Sequence, residues 1–240
     1  MRRLSSRICL SDESIIGCIN ILRPAFTQTS AAVFSTHVYS NFVSSAGSSR
    51  SGYSLWNAAR KTGFWRSDVL VIPINLKEQN HWVAATVYLK EGKIELFDSL
   101  AYYTGCDRIS KVRVSKSIYS LLPIRLKQNV KELVYKLFEL AVQYKSGEEP
   151  GLKELDQGSK WTTVKLLVRL IKLLPSARSN EAYTQDEAVQ HNGYDCGVWV
   201  LSQIIANLSG SRLVIANKHD IDDMRTFLKE QYKASLRPNA

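Results

Sequence analysis

Apolar positions recur along this chain with two different periods, and the changes of period mark out the elements. Ile15, Ile16, Ile19 and Leu22 recur at helical spacing, which predicts a short amphipathic helix over 12–22, capped by Ser11 or Asp12 and stopped by Arg23-Pro24. The next run, AAVFSTHVYSNFV, fits a helix or a strand equally well, and 44–52, with five serines and two glycines, reads as a loop. A short helix is expected over 53–61, followed by VLVIPI, a compact β-branched run typical of a buried strand. HWVAATVYL and the apolar run 94–97 read as two further strands joined at Lys90-Glu91-Gly92-Lys93, an antiparallel hairpin. Such a hairpin brings its first and last residues to one end, so His81 and Asp98 approach each other. The register stays open: Asp98 faces anything from Trp82 to Ala85, and a contact with His81 requires a favourable turn or a bulge. Helical spacing returns at Leu126, Val130, Leu133, Val134, Leu137, Phe138 and Ala141, and again at Trp161, Val164, Leu167, Val168, Ile171 and Leu174. A third helix follows Cys196 to about Leu208, and a last one covers about 220–232 with Asp220 as cap.

Composition narrows the class. With 240 residues and 45% apolar content the chain supports one domain with a substantial core, and no run of eighteen apolar residues offers a spanning helix. The start MRRLSSRICLSDES lacks the apolar stretch of a secretion signal, which fits a soluble intracellular protein. Cys9, Cys18, Cys106 and Cys196 are far apart and include no C-x-x-C pair, so neither a zinc site nor a secreted disulfide framework is expected, and no metal or cofactor is implied. The net charge of +10 is local: residues 106–178 hold 15 Lys or Arg against 7 Asp or Glu. Basic helices are more often solvated faces than nucleic-acid surfaces, and no nucleic-acid motif accompanies them.

The stretch QHNGYDCGVWV concentrates the candidate chemistry. Asn192-Gly193 favours a turn with positive φ, and Asp195 fits a helix cap with Cys196 and Gly197 in the first turn. A thiol at a helix start feels the unpaired N–H groups, which favour its thiolate. Gln190, six positions before Cys196, stands where a side-chain amide can serve a developing oxyanion. A thiol nucleophile needs a base and a group that orients it; His81 and Asp98 supply both. Taken singly, His81 and Trp82 read as strand-end residues, Asp98 as a turn former, Gln190 as a loop amide and Cys196 as a core thiol; taken together they read as catalytic. His191 is a rival base, close to Cys196 only in sequence. His37 and His219 read as structural or surface residues.

HW with DSL downstream, followed by Q-x-N-G-Y-D-C-G, resembles the ubiquitin-like-protein-specific cysteine proteases, which process and deconjugate SUMO and its relatives. The resemblance extends from about Leu10 to the last helix. It implies an α+β papain-like fold, with a central mixed or antiparallel sheet flanked by helices and the nucleophile at a helix N-terminus. It further implies that Cys196 attacks the carbonyl after a terminal Gly-Gly, with His81 as acid and base, Asp98 as its orienter and Gln190 with backbone N–H groups at the oxyanion. Trp82, Asp12, Gly193 and Gly197 would then contact substrate, Trp82 as the roof of a tunnel wide enough only for glycines. Two departures stand out. The family carries Trp-Leu-Asn-Asp at its first helix, its Trp forming the other tunnel wall, where this chain has Cys9-Leu10-Ser11-Asp12. The stretch from Asp98 to Cys196 is also longer than the family norm, which suggests a two-helix basic insertion over about 106–180. The implied partner is a SUMO-like modifier with its conjugates, with no membrane or nucleic acid; a monomer in the nucleus or cytoplasm is expected. The competing readings are a binding module that grips the modifier without cutting it, a basic nucleic-acid binder, and an acyltransferase.

Overall fold

The computed structural model describes residues 8–26, 30–44, 51–100, 116–145, 190, 192–210 and 218–235. Its centre is a sheet in the order β1-β2-β3-β4: β1 (Ala31–Val33), β2 (Val69–Leu76), β3 (His81–Tyr88) and β4 (Lys93–Phe97). β1 and β2 are parallel, while β2–β3 and β3–β4 are antiparallel, so the sheet is mixed. β1 accompanies β2 only over Val69 to Val71. Pro73, which is buried, lies beyond that pairing, so its missing N–H costs no bond to β1.

Both faces of the sheet are buried, which is why its strands read as nearly continuous apolar runs. Leu70, Ile72, Ile74, Val83, Ala85 and Val87 point into one core. There they meet α2 (His37–Ser44), α3 (Ser51–Ala59) and α4 (Lys116–Lys145). Val71, Trp82, Ala84 and Phe97 point the other way. They meet α1 (Asp12–Leu22), α5 (Cys196–Leu208) and α6 (Lys218–Ser235). Successive strand residues alternate between faces, so the period-2 signal is present but apolar on both sides.

Most expected elements are found. Ser11 caps α1, its hydroxyl accepting from Ser14 N at 3.4 Å, and the helix gives way to a 3-10 turn at Arg23–Phe26. The ambiguous run over 31–43 holds both alternatives, a three-residue strand and then a helix. All seven positions expected on the inner face of the helix over 126–141 are buried, and they are part of the first core. The second helix of that pair, Cys106 and the tail beyond 235 lie outside the described residues, as does His191. The last helix begins before Asp220, at Lys218.

Candidate active site

The hairpin register answers the question the sequence left open. Ala84 pairs with Phe97, so one further step sets Asp98 opposite Val83, two residues from His81 and on the same face by strand alternation. Such diagonal neighbours lie within reach of a ring, and no bulge is needed. His81 Nε2 and Asp98 Oδ1 are 2.7 Å apart, with both residues buried. Asp98 stays in place because the chain turns directly after it: Leu100 N donates to the same Oδ1 at 3.0 Å. On its other side the His81 ring hydrogen-bonds the Cys196 thiol. With Nε2 taken by Asp98, Nδ1 is the nitrogen left for that contact. Burial alone would lower the basicity of the ring, but the hydrogen bonds and charges of Asp98 and Cys196 outweigh it and raise its pKa to about 9.

The turn before Cys196 is built differently from the sequence expectation. Gly193 does not have a positive φ. The bend is held instead by the Asn192 side chain, whose Oδ1 accepts from Tyr194 N and Asp195 N, each at 3.0 Å. Asp195 occupies the cap position of α5 but makes no capping hydrogen bond, and its φ and ψ of −92° and 0° are helical. Its carboxylate turns elsewhere: Asn192 Nδ2 donates to Oδ2 at 2.6 Å and Arg225 Nε donates to Oδ1 at 2.5 Å. Gln190 is buried beside the Asp98–Leu100 turn, its N donating to Ser99 O at 2.7 Å and its Oε1 accepting from Ser99 Oγ at 2.8 Å. Its Nε2, expected at an oxyanion, donates to the Asn192 carbonyl.

Cys9 lies beside the nucleophile. Its Sγ donates to Gly193 O at 3.3 Å, accepts from Asn80 Nδ2 at 3.5 Å and hydrogen-bonds Cys196. Burial first, and then the charge of Cys196, push this thiol above its ordinary range. Asn80 reaches Cys9 from a left-handed backbone position, φ 47°, directly before His81.

The residues expected to contact substrate are dispersed in character. Trp82 is 2% exposed and donates from Nε1 to Leu10 O at 2.9 Å, so the segment after Cys9 covers it. Asp12 Oδ2 accepts from Asn75 Nδ2 at 2.9 Å, while Gly193 is exposed. Gly197 also has a packing role: a Cβ there would meet Leu10 Cβ at 3.0 Å and Ile15 Cδ1 at 3.2 Å, so the glycine lets α5 sit close against Leu10 and α1.

Sequence reasoning missed Arg225, Asn80, Ser99 and the contact of the two thiols. For Arg225 a signal existed. It shares the inner stripe of α6 with Ile221, Met224, Leu228 and Tyr232, and a charged residue inside an apolar stripe calls for a buried partner. Among the described residues no group of three His, Cys, Asp or Glu could hold a metal ion, and no helix is long and apolar enough to cross a membrane.

A family model described as the Ulp1 protease family, C-terminal catalytic domain, matches residues 10–141, a stretch that includes His81 and Asp98 but ends before Gln190 and Cys196. A comparison with curated proteins finds no match. Among solved structures, the chain is similar to the C-terminal Ulp1 protease domain in complex with Smt3, the yeast ortholog of SUMO. The TM-score is 0.56 at 17% identity, over 98% of this chain and 81% of that one. It is similarly like the SUMO protease Ulp1 with its catalytic cysteine oxidised to a sulfonic acid, with a TM-score of 0.55 at 17% identity, over 98% of this chain and 83% of that one. At this identity the likeness concerns the fold, an α+β arrangement of a mixed sheet between helices.

Proposed function

Because the chain belongs to the Ulp1 protease family, we propose that it is a thiol protease cutting after the terminal Gly-Gly of a SUMO-like modifier, in precursor processing, deconjugation or both. The observation that carries this reading is the buried relay in which one imidazole touches both the Asp98 carboxylate and the Cys196 thiol. The solved Ulp1 domain bound to Smt3 supports the choice of modifier.

The chemistry follows from the contacts. His81 takes the Cys196 proton, and the thiolate attacks the glycyl carbonyl carbon to give a tetrahedral oxyanion. The first N–H groups of α5 have no partner within the helix and serve that oxygen; Gln190 Nε2 joins them by exchanging its bond to the Asn192 carbonyl. On collapse the C–N bond breaks and the imidazolium protonates the leaving amine. Water, deprotonated by the same ring, then releases the acid from the thioester. Asp98 holds the proton on Nε2, which keeps Nδ1 turned to sulfur. Trp82 roofs the glycine channel once the segment around Leu10 moves off it, with Asp12 and Gly193 on the substrate side. Cys9, Cys18 and Cys196 are not joined in disulfides, which suits a reducing compartment, the nucleus or the cytoplasm.

The test is a panel of SUMO, ubiquitin and other modifier probes, each ending in an electrophile, offered to wild type and to Cys196→Ser. SUMO labels wild type fastest and the variant not at all. Labelling that survives in Cys196→Ser defeats the assignment of the nucleophile, and tight binding of modifier without an adduct favours a binding module.

A further inference from the structure

Arg225 sits on the inner stripe of α6, only 8% exposed, between Ile221 and Leu228. A guanidinium sealed there is tolerated only where specific partners offset its lost hydration. Its partners include the two residues directly before the nucleophile. Nε donates to Asp195 Oδ1 at 2.5 Å, Nη2 donates to Tyr194 O at 2.9 Å and to Ile8 O at 3.4 Å, and the guanidinium lies 5.6 Å from the centre of the Tyr194 ring.

The consequence is geometric. The peptide unit joining Tyr194 to Asp195 is planar. Its carbonyl is held by Arg225, and its N–H donates to Asn192 Oδ1 at 3.0 Å. With both ends pinned, the plane cannot rotate, and that plane sets the direction in which the chain leaves Asp195 to enter α5 at Cys196. A side-chain cap would ordinarily fix a helix start, but Asp195 provides none. We propose that Arg225 is a positioning residue for the reaction: in place of a cap, it fixes the peptide before the nucleophile and so aims the Cys196 sulfur and the first N–H groups of α5 at the scissile carbonyl. The same guanidinium draws in the carbonyl of Ile8, next to the segment that carries Cys9. This assignment rests on the reading of Cys196 as the nucleophile.

The experiment compares wild type, Arg225→Met, Arg225→Lys and the double variant Arg225→Met/Asp195→Asn, using SUMO with a C-terminal fluorogenic amide and following melting temperature alongside. Arg225→Met loses kcat by on the order of 10- to 100-fold, the scale of a small misplacement of a reacting group, with KM within about twofold. The double variant no longer buries an unpaired carboxylate, so its melting temperature recovers towards wild type, yet its kcat stays low because the Tyr194 carbonyl is still unheld. Arg225→Lys keeps the charge but not the fork that engages carboxylate and carbonyl together, and gives an intermediate kcat. If kcat recovers in step with stability in the double variant, or if Arg225→Met matches wild type, Arg225 is merely structural and the inference falls. Should Arg225→Met fail to fold, the double variant and Arg225→Lys decide by the same criteria. If wild type itself does not cleave the SUMO amide, it is the substrate reading that fails. Alkylation of Cys196 by iodoacetamide then decides for Arg225: slower in the double variant than in wild type supports positioning, and equal rates overturn it.

Discussion

At His81 two opposing effects meet, and the balance between them has a consequence that depends on pH. Burial favours the neutral ring, while Asp98 and Cys196 favour the charged one and prevail, taking the group from 6.5 to about 9. A folded pKa above the unfolded one means that protonation stabilises the fold. That contribution is fully present below about pH 6.5 and is lost as pH rises through about 9. Replacing Asp98 with Asn removes the first of the two groups that raise the ring, so the gap in melting temperature between wild type and Asp98→Asn is widest below about pH 6.5 and narrows towards about pH 9. Melting curves across that range check it, and a gap that widens with pH would show that the imidazolium is not what Asp98 stabilises. Cys9 is shifted in the same direction by different causes. Its burial and the neighbouring Cys196 keep it a protonated thiol, an S–H donor to Gly193 O, so the two sulfurs in contact are not equivalent.

At the scale of elements, what could be read from the sequence was what repeats. The hairpin is legible because two apolar runs flank Lys90-Glu91-Gly92-Lys93, and α4 because seven positions keep helical spacing over four turns. What could not be read depends on single side chains reaching distant parts of the chain. Asp195 has the chemistry and position of a cap, yet its carboxylate is taken by Asn192 and by Arg225, thirty residues on. Asn192-Gly193 suggests a left-handed turn, yet Gly193 has no positive φ and a side-chain oxygen accepting two backbone N–H groups holds the bend. Gly197 reads as a site glycine because it follows the nucleophile, and its close packing on Leu10 and Ile15 was not legible in the sequence. A prediction follows from those contacts. Gly197→Ala drives a methyl against Leu10 and Ile15, and overpacking of this kind costs roughly 1–3 kcal/mol. Urea unfolding with an unchanged m-value measures it, and a neutral substitution would mean that α5 and α1 are not seated as closely as 3.0 Å requires.

The molecule as a whole divides the labour between the two faces of one sheet. The first core is built on α2, α3 and α4; the second contains Cys196 itself and is built on α1, α5 and α6, the last carrying Arg225. The sheet joins them, because His81 opens β3 and Asp98 follows β4, so the base arrives from the layer between the cores. Stability and catalysis should therefore separate by face. Leu137 and Leu201 are both fully buried, one in each core, and truncating either to Ala costs about 2–5 kcal/mol through lost burial and the cavity left behind. Their effects on turnover differ. Leu201 lies in α5, the helix whose start carries the nucleophile, so collapse around its cavity shifts that start and lowers kcat. Leu137 lies across the sheet, and Leu137→Ala keeps kcat near wild type wherever it remains folded. The comparison is kcat per folded molecule, measured with the SUMO amide well below both melting temperatures. Equal losses of kcat in the two variants would mean that the sheet transmits packing changes to the site, and the division of labour would be wrong.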